Sequence, residues 1–233
     1  MLVILDMKQL LISVFLIALC ISCKKHIDIE KTTVNKVSFT NILILGNSIT
    51  YSAANPSIGW NANWGMAASS PEKDYVHLLA ANFKQGNASA IVNAANISGF
   101  EMHCETYDFD TELKTYRDGK PDLLILRIGE NVDSKFDSVV FAKRYQALIA
   151  YMKTGNPNLK ILAAGSFWPD RDYINTILSK YTPYVSLSFL GNSISNYAFD
   201  MQNVTDAVKG HPGDKGMQGI AATIWAKVGE LDR

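Results

Sequence analysis

Several things are scarce in this chain of 233 residues, and each scarcity removes a class of protein. Net charge is absent: 22 Lys and Arg balance 22 Asp and Glu, with no basic run after residue 25. A surface for nucleic acid carries a positive patch, so no nucleic-acid partner is expected. Cysteine is rare, at positions 20, 23 and 104, and neither these nor the four histidines cluster with the spacing of a zinc site. No metal or organic cofactor is expected. There is no internal repeat and no low-complexity segment. Beyond the N-terminal stretch no long apolar run occurs, which argues against a multi-span membrane protein. What remains is 48% apolar and 19% charged, the composition of a globular chain long enough for one α/β domain with a real core.

The N-terminal stretch is a targeting segment. Met7-Lys8-Gln9 precedes apolar residues 10–21, too few to span a bilayer comfortably. The stretch closes on Cys20-Ile21-Ser22-Cys23-Lys24-Lys25. A small residue before a cysteine at this place resembles a bacterial lipoprotein signal with Cys23 as the lipidated residue, although Cys20 stands where leucine is usual. The resemblance implies export to the cell envelope and membrane contact through an N-terminal lipid anchor only. Residues 1–23 are then the signal, 24–36 a polar tether and 37–233 the folded domain. That leaves Cys104 alone, unable to form an internal disulfide and expected to be structural.

Within the domain, short apolar runs at residues 41–45, 90–94, 122–127, 160–164 and 184–190 read as strands buried on both faces. Helical stripes separate them. One starts at Ser70-Pro71-Glu72, with Ser70 as cap, and ends at Gly86. Others cover about 134–153 and 171–180. The last runs over 215–231, where Met217, Ile220, Ala221, Ile224, Trp225, Val228 and Leu231 share one face. Strands alternating with helices imply a three-layer α/β/α sandwich around a mainly parallel five-stranded sheet. Residues 51–69 form a long loop, carrying Trp60 and Trp64, expected over the ligand face.

Ligands of open α/β sheets bind beyond the C-terminal ends of the strands. Four small polar clusters fall there or just before the last helix: Gly46-Asn47-Ser48, Ser98-Gly99, Gly129-Glu130-Asn131 and His211-Pro212-Gly213-Asp214. In this order they resemble the blocks of the SGNH (GDSL-like) hydrolases, over about residues 41–231. The resemblance implies the flavodoxin-like fold of that family and an ester hydrolase. Ser48 is the implied nucleophile and His211 the base that takes its proton. The implied oxyanion hole comprises the Ser48 and Gly99 backbone N–H groups and the Asn131 side chain. The substrate is expected to be a small ester, such as an acetylated carbohydrate. Lipase-like or thioesterase-like use of the same site, and a non-catalytic glycan-binding protein, are the alternatives.

Two positions depart from the family pattern. Asn47 stands where aspartate is usual in Gly-Asp-Ser. Val208 stands where an aspartate three residues before the histidine usually orients the imidazole, which favours the non-catalytic alternative. Asp206 is the candidate replacement, and a Ser–His dyad with a backbone carbonyl holding the ring is the other solution. Glu130, Trp60, Trp64 and Trp168 are candidate substrate contacts, the tryptophans because aromatic faces suit sugar rings; core packing explains them equally. Asp214 reads as the cap of the last helix. A second Gly-Asn-Ser at 191–193 shows how weak that tripeptide is alone; Ser48 is preferred because it ends the first strand.

Overall fold

The computed structural model describes residues 37–232, so the signal, the tether and Cys23 lie outside the described residues. Five strands form one all-parallel sheet: β1 (Asn41–Gly46), β2 (Ile91–Asn96), β3 (Leu123–Arg127), β4 (Lys160–Ala164) and β5 (Tyr184–Val185). Their spatial order is β2-β1-β3-β4-β5. Among the described residues seven α-helices connect or follow them: α1 (Tyr75–Gly86), α2 (Ser98–His103), α3 (Phe109–Asp118), α4 (Ser138–Gly155), α5 (Asn175–Tyr181), α6 (Asp206–Lys209) and α7 (Asp214–Leu231).

Alternation along each strand builds two cores. Ile42, Ile44, Leu123, Ile125 and Leu162 point to one face, under Tyr75, Leu79 and Phe83 of α1 and Met217, Ile220, Ile224 and Val228 of α7. Leu43, Leu45, Leu124, Leu126 and Ile161 point to the other, against Leu113 of α3, Phe141, Tyr145, Leu148 and Met152 of α4, and Leu178 of α5. Burial on both faces explains why these strands read as continuous apolar runs. Each fully buried Leu or Ile contributes roughly 1.5–3 kcal/mol.

The chain leaves β1 for β2 on one side and returns to β3 on the other. The β1/β3 boundary is therefore the switch point of the sheet, where its carboxyl ends open a crevice. Gly46 ends β1 because a Cβ there would lie 1.9 Å from Thr50 Oγ1 and 2.8 Å from the Arg127 carbonyl.

Local readings are corrected in several places. Ser70 makes no capping bond; Pro71–Lys73 is a 3-10 turn, and Asp74 caps α1 through the His77 N–H at 2.8 Å. Gly86 lies inside α1, whose cap is Asn87. Asp214 is the first residue of α7 and accepts from Ser69 N–H and Oγ–H instead of capping the helix. β5 is two residues long, because after Val185 the chain turns into 3-10 geometry at Ser188–Asn192.

Candidate active site

The turn after β1 sets the position of Ser48. The Asn47 carbonyl accepts the Thr50 and Tyr51 N–H groups, at 2.9 and 3.0 Å, which lifts Ser48 out of the strand line. Ser48 is half-buried, and its carbonyl accepts the Met66 N–H at 2.9 Å, tying it to the 51–69 loop. Its Oγ lies 2.9 Å from Nε2 of His211, across 163 positions of sequence.

His211 sits between α6 and α7 and is 8% exposed. Its Nδ1 is 2.8 Å from the Ala207 carbonyl, four residues back in the last turn of α6, where helical carbonyls have no partner of their own. A carbonyl only accepts, so Nδ1 carries the proton and Nε2 is left to accept from the Ser48 hydroxyl. Burial holds the His211 pKa below its usual value, which keeps the ring neutral and basic near pH 7. Trp168 packs edge-to-face on the ring at 5.5 Å and donates its indole N–H to the Gly210 carbonyl at 2.9 Å.

Asp206 does not hold the imidazole. Its side chain is 99% exposed and lies 3.4 Å from Lys209 Nζ, while the Ala207 carbonyl takes the orienting role. The dyad, one of the two solutions open to the sequence, is the arrangement present. The second Gly-Asn-Ser occupies a surface 3-10 segment, where Ser193 Oγ meets Ser195 Oγ at 3.0 Å.

Beneath the dyad lies a buried polar network. Arg127, the last residue of β3, is fully buried; it donates through Nη1 to Asn47 Oδ1 at 2.9 Å and through Nη2 to Glu130 in a short ion pair. Glu130 also accepts from the Asn47 amide at 2.7 Å and the Phe167 N–H at 2.8 Å. Glu130 is therefore structural: at 3% exposure with its oxygens occupied, it offers nothing to a substrate. Glu101 of α2, equally buried, accepts from the Asn131 amide at 2.7 Å, the Asn47 amide at 3.2 Å and, in a short bond, the Gly129 N–H. Gly129 aims that N–H with φ +144°, a conformation that favours glycine. Gly99 is the second residue of α2, where a backbone N–H has no acceptor within the helix. Arg127, Glu101 and the bridging role of Asn47 were not foreseen; a lone arginine ending an apolar strand was the available signal, since a buried cation needs an anion.

The tryptophans divide. Trp60 is 3% exposed, packs with Ala62, Met66, Ala198 and Val208, and donates its indole N–H to the Ser52 carbonyl at 3.2 Å. It pins the loop and has no open face for a sugar. Trp64 meets it edge-to-face at 5.8 Å and donates to the Ala68 carbonyl, as a packing residue would. Trp168 alone of the three touches the dyad. Cys104 is half-buried, with burial pushing its thiol pKa up. Among the described residues no group of His, Cys, Asp and Glu could hold a metal ion, and no helix is long and apolar enough to cross a membrane.

No protein-family model and no curated protein matches the sequence. Solved structures do match in fold. A two-domain esterase active on acetylated mannans, co-crystallised with mannopentaose, aligns with TM-score 0.55 at 18% identity, covering 83% of this chain and 50% of that one. A protein of Parabacteroides merdae assigned as a GDSL-like lipase aligns at 0.55 and 20% identity, covering 84% and 99%. An acetyl esterase crystallised with an acetate ion aligns at 0.50 and 16%, covering 82% and 97%. The chain thus spans half the length of the mannan esterase and nearly the whole of the other two. With the parallel β2-β1-β3-β4-β5 sheet, these likenesses establish that the domain has the α/β/α fold of the SGNH (GDSL-like) hydrolases.

Proposed function

We propose that the chain is a serine esterase that removes a small acyl group, acetyl foremost, from a carbohydrate. The observation that carries this reading is the Ser48 hydroxyl 2.9 Å from an imidazole nitrogen whose ring partner is already committed to a carbonyl. Ser48 Oγ attacks the ester carbonyl carbon as its proton passes to His211 Nε2. The tetrahedral oxyanion is held by the backbone N–H groups of Ser48 and Gly99 and by the Asn131 amide. On collapse the C–O bond to the sugar breaks and the leaving oxygen takes the proton from Nε2. Water, deprotonated by the same nitrogen, then attacks the acyl-Ser48 and releases the acid. The Ala207 carbonyl, in the place of the missing aspartate, supports the catalytic reading over a non-catalytic protein. The acetylated substrates and oligosaccharide ligand of the mannan esterase support, by fold analogy, acetyl esters on a glycan.

The test is labelling by a fluorophosphonate probe together with hydrolysis of nitrophenyl acetate and a long-chain nitrophenyl ester. Labelling of the wild type but not of Ser48→Ala, loss of turnover by about 10³-fold or more in Ser48→Ala and His211→Ala, and preference for acetate are expected. A wild type that is neither labelled nor active refutes the reading; preference for the long chain moves the substrate to lipids. We also propose, from the signal-like residues 7–25 alone, that the protein is exported and held by acyl chains on Cys23, so Cys23→Ser should shift it from the membrane to the soluble fraction. A Cys23→Ser protein still in the membrane pellet refutes the anchor.

A further inference from the structure

Glu101 has no role in the steps above, yet three blocks of the site meet on it. Its Oε2 accepts the Asn131 amide at 2.7 Å, while Oε1 takes the Gly129 N–H and the Asn47 amide. It stands two residues after Gly99 on α2, so one buried carboxylate joins the two oxyanion donors that lie outside the nucleophile block. A planar amide with one N–H fixed has its other N–H direction fixed too. We propose that Glu101 is a positioning residue whose ionised carboxylate clamps the Asn131 amide so that its second N–H faces the developing oxyanion, making turnover depend on the charge state of Glu101. This rests on the esterase reading.

The surroundings make that charge state labile. Arg127, the cation of the network, is bonded to Glu130 and Asn47, whereas the donors that reach Glu101 are all neutral. Burial, and then the charge of Glu130, push the Glu101 pKa up to about 7. The ionisable groups facing it are Arg127 at the end of β3, Glu130 three residues beyond it and, across a cavity of about 330 Å³, His103 at the end of α2, Glu105 after it, and Asp133 and Asp137 before α4. His211 interacts with the same Glu130 and Arg127. Protonated, Glu101 presents an O–H where Asn131 needs an acceptor, and the clamp opens. Activity is therefore present above the Glu101 pKa and lost as pH falls through it.

The experiment is the pH dependence of kcat and of the fluorophosphonate labelling rate at Ser48 for the full chain. Wild type should show two acid-side ionisations, one near 7 from Glu101 and a lower one from His211. Glu101→Gln should lose about 10–100-fold in kcat at pH 8 with little change in KM, and should keep only the lower ionisation. Asn131→Ala removes the clamped group and leaves Glu101 in place, so its slower residual labelling should also lack the upper step; this variant decides the matter should Glu101→Gln not fold. Persistence of the upper ionisation in either variant, or a single wild-type ionisation, overturns the proposal while leaving the Ser48 chemistry intact. Absence of Ser48 labelling at every pH removes both.

Discussion

Replacing Asn47 by aspartate restores the Gly-Asp-Ser usual in the resembling family, and in this chain it should be costly. Asn47 is fully buried and its amide donates to two carboxylates, Glu130 at 2.7 Å and Glu101 at 3.2 Å. The substitution would erase both donors and put a third carboxylate against those two, with Arg127 as the cation between them. Hydrogen bonds to charged groups are worth about 1.5–3 kcal/mol each, so losing two costs on the order of 3 kcal/mol before repulsion is counted. The new acid would have a folded pKa above its unfolded value of about 3.9, because burial and like charges both favour its neutral form. Its stability contribution is then complete below the unfolded pKa and disappears as pH rises through the folded one. Thermal unfolding of Asn47→Asp beside wild type should show a Tm deficit of roughly 6–12 °C at pH 8, shrinking towards pH 5. A deficit under about 2 °C at pH 8, or one equal at both pH values, would refute this account of the network.

Asp206→Ala should change kcat by less than about twofold, since a fully exposed carboxylate next to Lys209 exerts little force on the ring; a loss of about 100-fold in ester hydrolysis would put the carboxylate back in a triad. Trp60→Ala should cost roughly 3–5 kcal/mol in urea unfolding, the usual result of emptying a buried tryptophan site. An unchanged unfolding midpoint with weakened glycan binding would instead make Trp60 a sugar platform.

Strands β1, β3 and β4 were legible because burial on both faces leaves apolar runs, whereas β2, at the edge of the sheet, is mostly exposed and showed itself only through Ile91, Val92, Ala94 and Ala95. β5 was overread: Ser186-Leu187-Ser188-Phe189-Leu190 alternates like a strand, yet only Ala163 and Ala164 of β4 pair with the edge, and Phe189 ends 56% exposed. α3 went unseen because its sole fully buried residue is Leu113, too little for an apolar stripe. α6 is a single turn, below the length at which periodicity speaks. The pairing of Ser48 with His211 was legible through the family resemblance, whose serine block follows β1 and whose histidine block precedes α7. A backbone carbonyl as the orienting partner of His211 was one of two solutions open to the sequence, but which carbonyl was not legible, since every residue has one and it leaves no letter in the sequence. Glu101 was hidden for a related reason: a six-residue helix is too short to show periodicity, and nothing in the letters says which buried anion it brings to Asn131.

The choice of the Ala207 carbonyl has a further consequence. No side-chain exchange can delete that acceptor, so the proton stays on the correct ring nitrogen whatever residue evolves at 206 or 207, provided the single turn keeps its shape. The same atom carries no full charge and lends less help to an imidazolium than a carboxylate would. Such a site trades peak rate for a tautomer that mutation cannot easily scramble, and its weak point is the backbone path from Thr205 to His211: a proline within it, rather than a lost acid, is what would silence the proposed chemistry.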